Sequence, residues 1–309
     1  MGRQRRGRPI NGILVLDKPV GVSSNRALQS ARHLFSAAKA GHTGSLDPLA
    51  SGVLPLCFGE ATKFSQYLLD ADKAYESTFV FGVATATGDA EGEVITSCDA
   101  SNIDAARVED ALHSFRGEIE QIPPMYSAIK RDGQPLYKLA RQGIEVEREP
   151  RRAFIQRLEL CAFRPGAKPE ADIYLECSKG TYVRSIAEDL GAALGCGAHV
   201  SALRRTRSGP FDIRDSISLP TLEALRHQAG PAELDALLLP AESALGSLPL
   251  VRLTESGGFY LRRGQPVQVP NAPGNGMVRV ALESGEFLGV GEILDDGRVA
   301  PRRLMVTAR

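Results

Sequence analysis

No C-x-x-C pair occurs in the 309-residue sequence, and its five cysteines, Cys57, Cys98, Cys161, Cys177 and Cys196, are odd in number and widely scattered. That argues against a disulfide framework or a cysteine-based zinc site and points to a reducing cytoplasm. Net charge is missing too: 37 Lys and Arg balance 37 Asp and Glu, so total charge gives no reason to expect a polyanionic partner. No stretch approaches the roughly 20 apolar residues of a spanning helix, and the start, MGRQRRGRPI, lacks the apolar core of a signal peptide. The expectation is a cytoplasmic chain with no membrane attachment. G-x-x-x-x-G-K-[ST], G-x-S-x-G, H-E-x-x-H and G-x-G-x-x-G are all absent, so no metal and no nucleotide cofactor is expected. Internal repeats and low-complexity tracts are lacking as well.

What is present is enough apolar material, 43% of residues, for a sizeable core and about two domains. GILVLDKPVG reads as a short apolar strand closed by a Pro/Gly turn. A helix over residues 24 to 38 follows, capped by Ser23 or Ser24. VLPLCFG reads as a buried strand, EATKFSQYLLDADK as an amphipathic helix, and AYESTFVFGVAT alternates like a half-buried strand. Helices are expected over 104 to 115 and 182 to 194, with strands between them. The order is not a regular βαβ repeat, so the fold class is α+β with a mixed, largely antiparallel sheet. Residues 220 to 247 are Leu/Ala-rich and helical in pattern; beyond them come short strands broken by Gly, Asn and Pro, with a small helix at ESGGFYLRRG. The expected division is a basic arm over 1–9 (Arg3, Arg5, Arg6, Arg8), a main domain over 10–247 and a β-barrel-like module over 248–309. A further cluster, Arg204, Arg205 and Arg207, is either a phosphate-binding patch or a solvated surface.

The most informative stretch is GHTGSLDPLASGVLPLCFGEATK, residues 41 to 63, which sets one carboxylate, Asp47, among small residues. An isolated Asp-Pro is most simply a turn. Here Gly41, Gly44 and Gly52 permit close backbone approach and VLPL would anchor the loop on a sheet, which makes Asp47 a presentable nucleophile. A glycosidase would need a partnered acid, and Glu60, the nearest, is explained by the helix it opens.

With GILVLDKPVGVSS before it, and KAYESTFVFGVATATGDAEGE, IPPMYSAIKRDGQPLYKLARQG and CSKGTYVRSIAEDLG after it, this loop resembles the TruB-type tRNA pseudouridine synthases. The blocks run in family order over residues 10 to 210. The resemblance implies isomerisation of uridine to pseudouridine in the T-loop of tRNA, at position 55, without cofactor or metal. It gives Asp47 the catalytic aspartate's place, in a covalent or a proton-abstracting role, with Arg184 pairing and orienting its carboxylate. An aspartate with a neighbouring cation is expected to stay ionised. The resemblance further implies that Tyr75 stacks on the target base, that Tyr182 and Leu203 line the pocket, and that His42 fills the space an everted base leaves; Lys18 lies by the pocket or phosphates. Residues 131 to 143 resemble a segment that inserts against the T-loop, and the C-terminal module resembles a PUA-like RNA-binding domain. The implied partner is the tRNA T-arm stem-loop, bound by a monomer that needs no protein partner. Two alternatives stand beside this reading. One is a guide-RNA-dependent, dyskerin-type synthase, which the lack of a lysine-rich tail disfavours; the other is a tRNA-binding or tRNA-folding protein without catalysis.

Overall fold

The computed structural model describes residues 7–306. Arg3, Arg5 and Arg6 of the expected basic arm lie outside the described residues. Arg8 docks on the main body: its guanidinium pairs with Asp235 and donates to the Pro231 carbonyl at 2.9 Å.

The sheet is built by strands whose residues alternate between two kinds of surroundings. Lys73–Phe81 turns Tyr75, Ser77, Phe79 and Phe81 to one face and Glu76, Thr78 and Val80 to the other. Gly12–Lys18 is buried on both faces: Leu14 and Leu16 enter the main core, Ile13 and Val15 a second cluster. An uninterrupted apolar run is what such a strand requires. Across the sheet the order is Ile217–Ser218, Gly12–Lys18, Ser51–Phe58, Ala198–Ser208, Lys73–Phe81, Glu170–Cys177, Arg151–Arg164 and Gly117–Gln121. Ala40–His42 pairs beside Ser51–Phe58, and Phe211–Asp212 beside Ala198–Ser208. Only the contacts of Ala198–Ser208 with Ser51–Phe58 and of Gly12–Lys18 with Ile217–Ser218 are parallel. The sheet is therefore mixed and largely antiparallel, as expected.

Helix Val183–Ala193 packs on the main core through Val183, Ile186, Ala187 and Leu190, spaced i, i+3, i+4, i+7. Helix Ser24–Leu34 begins where the Ser23 hydroxyl accepts from Arg26 N and ends before Ser36, whose φ of +51° cannot continue a helix. It is thus four residues shorter than its sequence pattern. EATKFSQYLLDADK is not one helix but a 3₁₀ turn, Gly59–Phe64, leading into Ser65–Asp70. In the 220–247 stretch, Gly230-Pro231 and Pro240 cut the helical pattern into one helix, Leu219–Ala229, and two 3₁₀ turns, Glu233–Leu237 and Ala241–Leu245.

Residues 250 to 304 form a second sheet, in the order Leu250–Leu253, Gly276–Leu282, Phe287–Ile293, Arg298–Leu304 and Val267–Gln268, with helix Glu255–Arg262 against it. The path is open, a curled half-barrel around Val251, Leu261, Val278, Val280 and Val299. Phe287 and Val290 leave this core for the second cluster of the main body, where the Phe287 ring lies 5.6 Å from that of Phe64.

Candidate active site

Asp47 sits in the loop between Ala40–His42 and Ser51–Phe58, and that loop is held on every side. Buried Ser24 both accepts from Leu46 N (2.7 Å) and donates to Leu46 O (3.0 Å). Thr43 N donates to Pro55 O at 3.1 Å, Gly21 N to Pro48 O at 2.8 Å, and Ala50 N to Asp47 O at 3.1 Å. Leu46 and Ala50 are buried while the Asp47 side chain is 42% exposed. These backbone bonds pin the loop at Thr43, Leu46, Pro48 and Ala50, with one carboxylate presented at its crest.

Arg184, in the first turn of Val183–Ala193, reaches this carboxylate: Nη2 lies 3.0 Å from Asp47 Oδ2. The guanidinium is nearly buried and otherwise satisfied by carbonyls, donating to Thr87 O at 2.6 Å and Tyr126 O at 2.7 Å. On its other side Asp89 Oδ2 lies 3.7 Å from Nη1. Asp89 is itself held by the Thr87 hydroxyl at 2.5 Å and Glu91 N at 3.1 Å. One arginine thus lies between two carboxylates, Asp89 buried and Asp47 partly exposed. Sequence reasoning did not single out Asp89, because an acid flanked by Gly88 and Gly92 within TATGDAEGE reads as an ordinary turn.

Burial pushes the Asp47 carboxyl above its ordinary value; the charge of Arg184 opposes this, and Asp89 adds to the rise. Among these influences desolvation outweighs the guanidinium, so the net shift is upward. Glu91 is raised as well, by burial first and then by Asp89 and Asp47.

Lys18 ends its strand beneath the loop with no exposed surface, its ammonium donating to Pro19 O at 2.9 Å, to Val22 O, and to Pro48 O at 3.5 Å. Burial draws its pKa down to about 8, against the charges of Asp47 and Glu91. Tyr75 is packed in the main core, 9% exposed, paired across the strands with Arg205; burial raises its hydroxyl. Tyr182 is half-buried just before Val183–Ala193, its backbone gripped by Gln121 (Nε2 to Tyr182 O 3.2 Å; Tyr182 N to Oε1 3.1 Å). His42 is half-buried beside Ser51–Phe58. Its Nδ1 has no partner among the described residues, and burial followed by the charge of Arg205 lowers its pKa. Leu203 is half-buried, packs on the main core and borders an 820 Å³ cavity with Val20, Leu49, Glu76, Tyr174 and Arg204. That cavity meets the acid loop at Leu49 and Ser51 and is lined by neither Asp47 nor Arg184. The structure therefore joins Asp47 to Arg184 by direct contact and sets Lys18 under the same loop, while Leu203 and His42 have no bond to the pair.

The Arg204/Arg205/Arg207 cluster divides: only Arg205 leaves the surface, while the Arg204 and Arg207 side chains stay partly exposed and pair with acids. Arg205 is buried, donating to Val53 O at 2.7 Å and Gly44 O at 3.2 Å. Arg204 pairs with Asp17 at 2.8 Å and Arg207 with Glu176 at 2.7 Å. Residues 130 to 140 form a minimal hairpin, Lys130–Arg131 with Gln134–Pro135, and a short helix, Leu136–Ala140, with the Arg141 guanidinium 5.6 Å from the centre of the Tyr137 ring. Among the described residues no cluster of His, Cys, Asp and Glu could hold a metal ion, and no helix is long and apolar enough to cross a membrane.

With this geometry in place, three family models match the chain: TruB family pseudouridylate synthase (N terminal domain) over residues 32–183, tRNA pseudouridylate synthase B C-terminal domain over 184–246, and Pseudouridine synthase II TruB, C-terminal, over 249–305. The tRNA pseudouridine synthase B of Pseudomonas aeruginosa (strain UCBPP-PA14) is 58% identical over 298 residues, covering 96% of this chain and 97% of the relative. That of Saccharophagus degradans (strain 2-40) is 56% identical over 307 residues, covering 98% of each. Among solved structures, an H/ACA RNP bound to a substrate RNA containing 2'-deoxyuridine matches with a TM-score of 0.73 at 23% identity, covering 99% of this chain and 92% of that one. A Cbf5-Nop10-Gar1 complex matches with a TM-score of 0.69 at 25% identity, covering 96% and 84%.

Proposed function

The chain belongs to the TruB family of pseudouridylate synthases, and from that premise we propose that it isomerises uridine to pseudouridine in the T-loop of tRNA, at position 55, with Asp47 as the reacting carboxylate. The observation that carries the residue assignment is the 3.0 Å contact between Arg184 Nη2 and Asp47 Oδ2, on a loop bonded to helix Ser24–Leu34 through Ser24, to the turn at Gly21 and to the sheet at Pro55. Isomerisation breaks a carbon–nitrogen bond to the ribose and makes a carbon–carbon bond to the same carbon. No atom is gained or lost. The chain must supply a charged group at the sugar or base, a fixed geometry, and a pocket for an everted nucleoside. Asp47, as nucleophile or as base, meets the first requirement. Arg184 acts on the second: its carbonyl contacts fix the guanidinium, so the carboxylate it holds has one orientation.

Tyr75 and Tyr182 supply the aromatic walls, Leu203 an apolar contact, and His42 a flat ring beside the loop; Lys18 braces the loop from beneath through Pro48. Residues 130 to 143, with Arg131, Lys138 and Arg141, approach the T-arm, and the half-barrel from residue 248 onward binds RNA as a PUA-like unit. The enzyme works as a monomer in the cytoplasm. A guide-RNA-dependent reading is less supported: relatives at 55–58% identity bear the name of the tRNA enzyme, while the guide-RNA complexes are matched at 22–25%.

The test is mapping of pseudouridine by mass spectrometry in a bare tRNA transcript after incubation with the protein alone. Formation at the T-loop uridine is expected. With Asp47→Asn the modification falls by at least about 10³-fold while tRNA affinity changes far less. No product from wild type without guide RNA, or loss of binding in parallel with activity, overturns the reading. T-arm binding is also expected to weaken with salt, log K falling by roughly 0.7–0.9 per phosphate neutralised.

A further inference from the structure

Away from the acid loop, two thiols converge on one glycine. Cys98 follows strand Val94–Ser97 and is exposed; Cys196 lies in the turn after helix Val183–Ala193 and is half-buried. Cys98 N donates to Gly82 O at 3.0 Å, and Gly82 N to Gly197 O at 2.8 Å, so Gly82 stands between the two segments with no side chain of its own. Across it, the Cys98 thiol donates to the carbonyl oxygen of Cys196 itself, Sγ to O 3.3 Å. Burial raises the Cys196 thiol's pKa. Lys168 locks the wall of this site, donating to Gly82 O and to Ser97 Oγ, each at 2.7 Å. The remaining cysteines are placed otherwise: Cys57 and Cys177 are buried, with thiols pushed up to about 12 and about 11, and Cys161 is exposed on the Arg151–Arg164 strand.

We propose that Cys98 and Cys196 form a reversible intramolecular disulfide, closed by thiol–disulfide exchange with a small-molecule disulfide. Exposed Cys98 attacks first: its thiolate displaces one small thiolate and becomes a mixed disulfide. The Cys196 thiolate then attacks the Cys98 sulfur and releases the second small thiol. One disulfide is consumed, one is formed, and the two protons lost by the cysteines end on the two released thiols. The bond ties the base of the hairpin built from Val83–Thr85 and Val94–Ser97, whose tip carries Thr87 and Asp89, to the far end of the helix whose first turn carries Arg184. Oxidation therefore clamps together the two elements that hold the guanidinium in place, and a reducing thiol releases them.

The experiment incubates the full-length protein with oxidised glutathione, alkylates remaining thiols, digests without reduction and maps peptides by mass spectrometry. A linked Cys98–Cys196 peptide, two hydrogens lighter than its parts and lost on dithiothreitol treatment, is expected; Cys98→Ser removes it and leaves turnover in reducing buffer unchanged. In the oxidised protein, amide hydrogen exchange over residues 86–93 slows by at least about tenfold. Recovery of both cysteines as separate glutathione adducts or alkylated thiols overturns the proposal, as does a link from Cys98 to a second copy of the chain or to Cys161. Unchanged exchange in a linked protein overturns the clamp.

Discussion

Arg184 Nη2 lies 3.0 Å from Asp47 Oδ2 in a setting where burial has already raised the aspartate's pKa, so the arginine is what limits that rise. Removing it has a predictable sign. A carboxylate whose pKa lies above the ordinary 3.8 loses its charge as pH falls through the raised value, so wild-type turnover declines on acidification at a higher pH than an exposed aspartate would give. In Arg184→Met the raising influences of burial and Asp89 remain without their main opponent, and the acid limb of the pH–rate profile moves further up. Turnover at neutral pH is expected to drop by roughly 10²-fold or more. Stability falls by about 3–5 kcal/mol, because Asp89 is left buried without its cation. Single-turnover pH profiles of the two proteins check this; coincident acid limbs contradict it.

Much of this arrangement was legible in the sequence, for reasons that differ by residue. Asp47 could be found because the glycines around it and the apolar VLPL that anchors its loop go beyond what an Asp-Pro turn needs, whereas Arg184 was legible only through the resemblance of GTYVRSIAEDLG; periodicity gave its helix, whose Val183, Ile186 and Leu190 face the core. Asp89 was not legible, since it acts only through a partner 95 positions away, and an acid in a glycine-flanked loop looks like any turn. The arginine run was misleading for the opposite reason. Alternation along the strand sends Arg205 into the core and Arg204 to the other face, and a register shift between Arg205 and Arg207 parts these two as well, so Arg204 and Arg207 pair with acids from distant strands, which local charge density cannot reveal. Helix lengths failed where a single residue decided them, as at Ser36.

Gly52 is the hinge between the acid loop and its strand, and its φ of +102° is left-handed. A Cβ there would overlap the backbone of Arg205 on the neighbouring parallel strand, atoms that cannot swing aside. Gly52→Ala is expected to cost about 3 kcal/mol or more in denaturant unfolding, from backbone strain and overlap together. What folds should show a displaced Asp47 loop and lowered turnover. A variant as stable as wild type shows that the two strands can separate at this point.

Lys73 provides a test of stability against pH. It is buried, its ammonium donates to Leu69 O at 2.8 Å and Leu68 O at 3.3 Å and to Ala71 O, and burial lowers its pKa from 10.5 to about 8. Between those values the unfolded chain holds a proton that the folded chain has given up, so this group makes stability rise with pH. Below about 8 both states are protonated and the slope vanishes. Lys73→Met abolishes the effect. The destabilisation it causes, about 1–3 kcal/mol at neutral pH from the carbonyls left unpaired, should grow as pH rises from 8 towards 10.5. Comparing the two proteins cancels the opposing slopes of Cys57 and Cys177; a constant difference refutes the assignment.

Phe287 belongs by sequence to the half-barrel and by packing to the main body, where it joins Phe64, Leu68 and Val53 in one cluster. The half-barrel has a separate core of Val251, Leu261, Val278 and Val280, so its own folding does not depend on that contact. Phe287→Ala should therefore loosen the junction without melting either unit. We expect a loss of about 1–3 kcal/mol, faster amide exchange at residues 61–68 and 305–306, and unchanged exchange at Val278 and Val280. If, as proposed, full-length tRNA contacts both units, it should bind more weakly, whereas a T-arm stem-loop should turn over at the wild-type rate when saturating. If turnover of the stem-loop falls in step with tRNA affinity, the half-barrel shapes the acid site itself, and the two sheets work as one body.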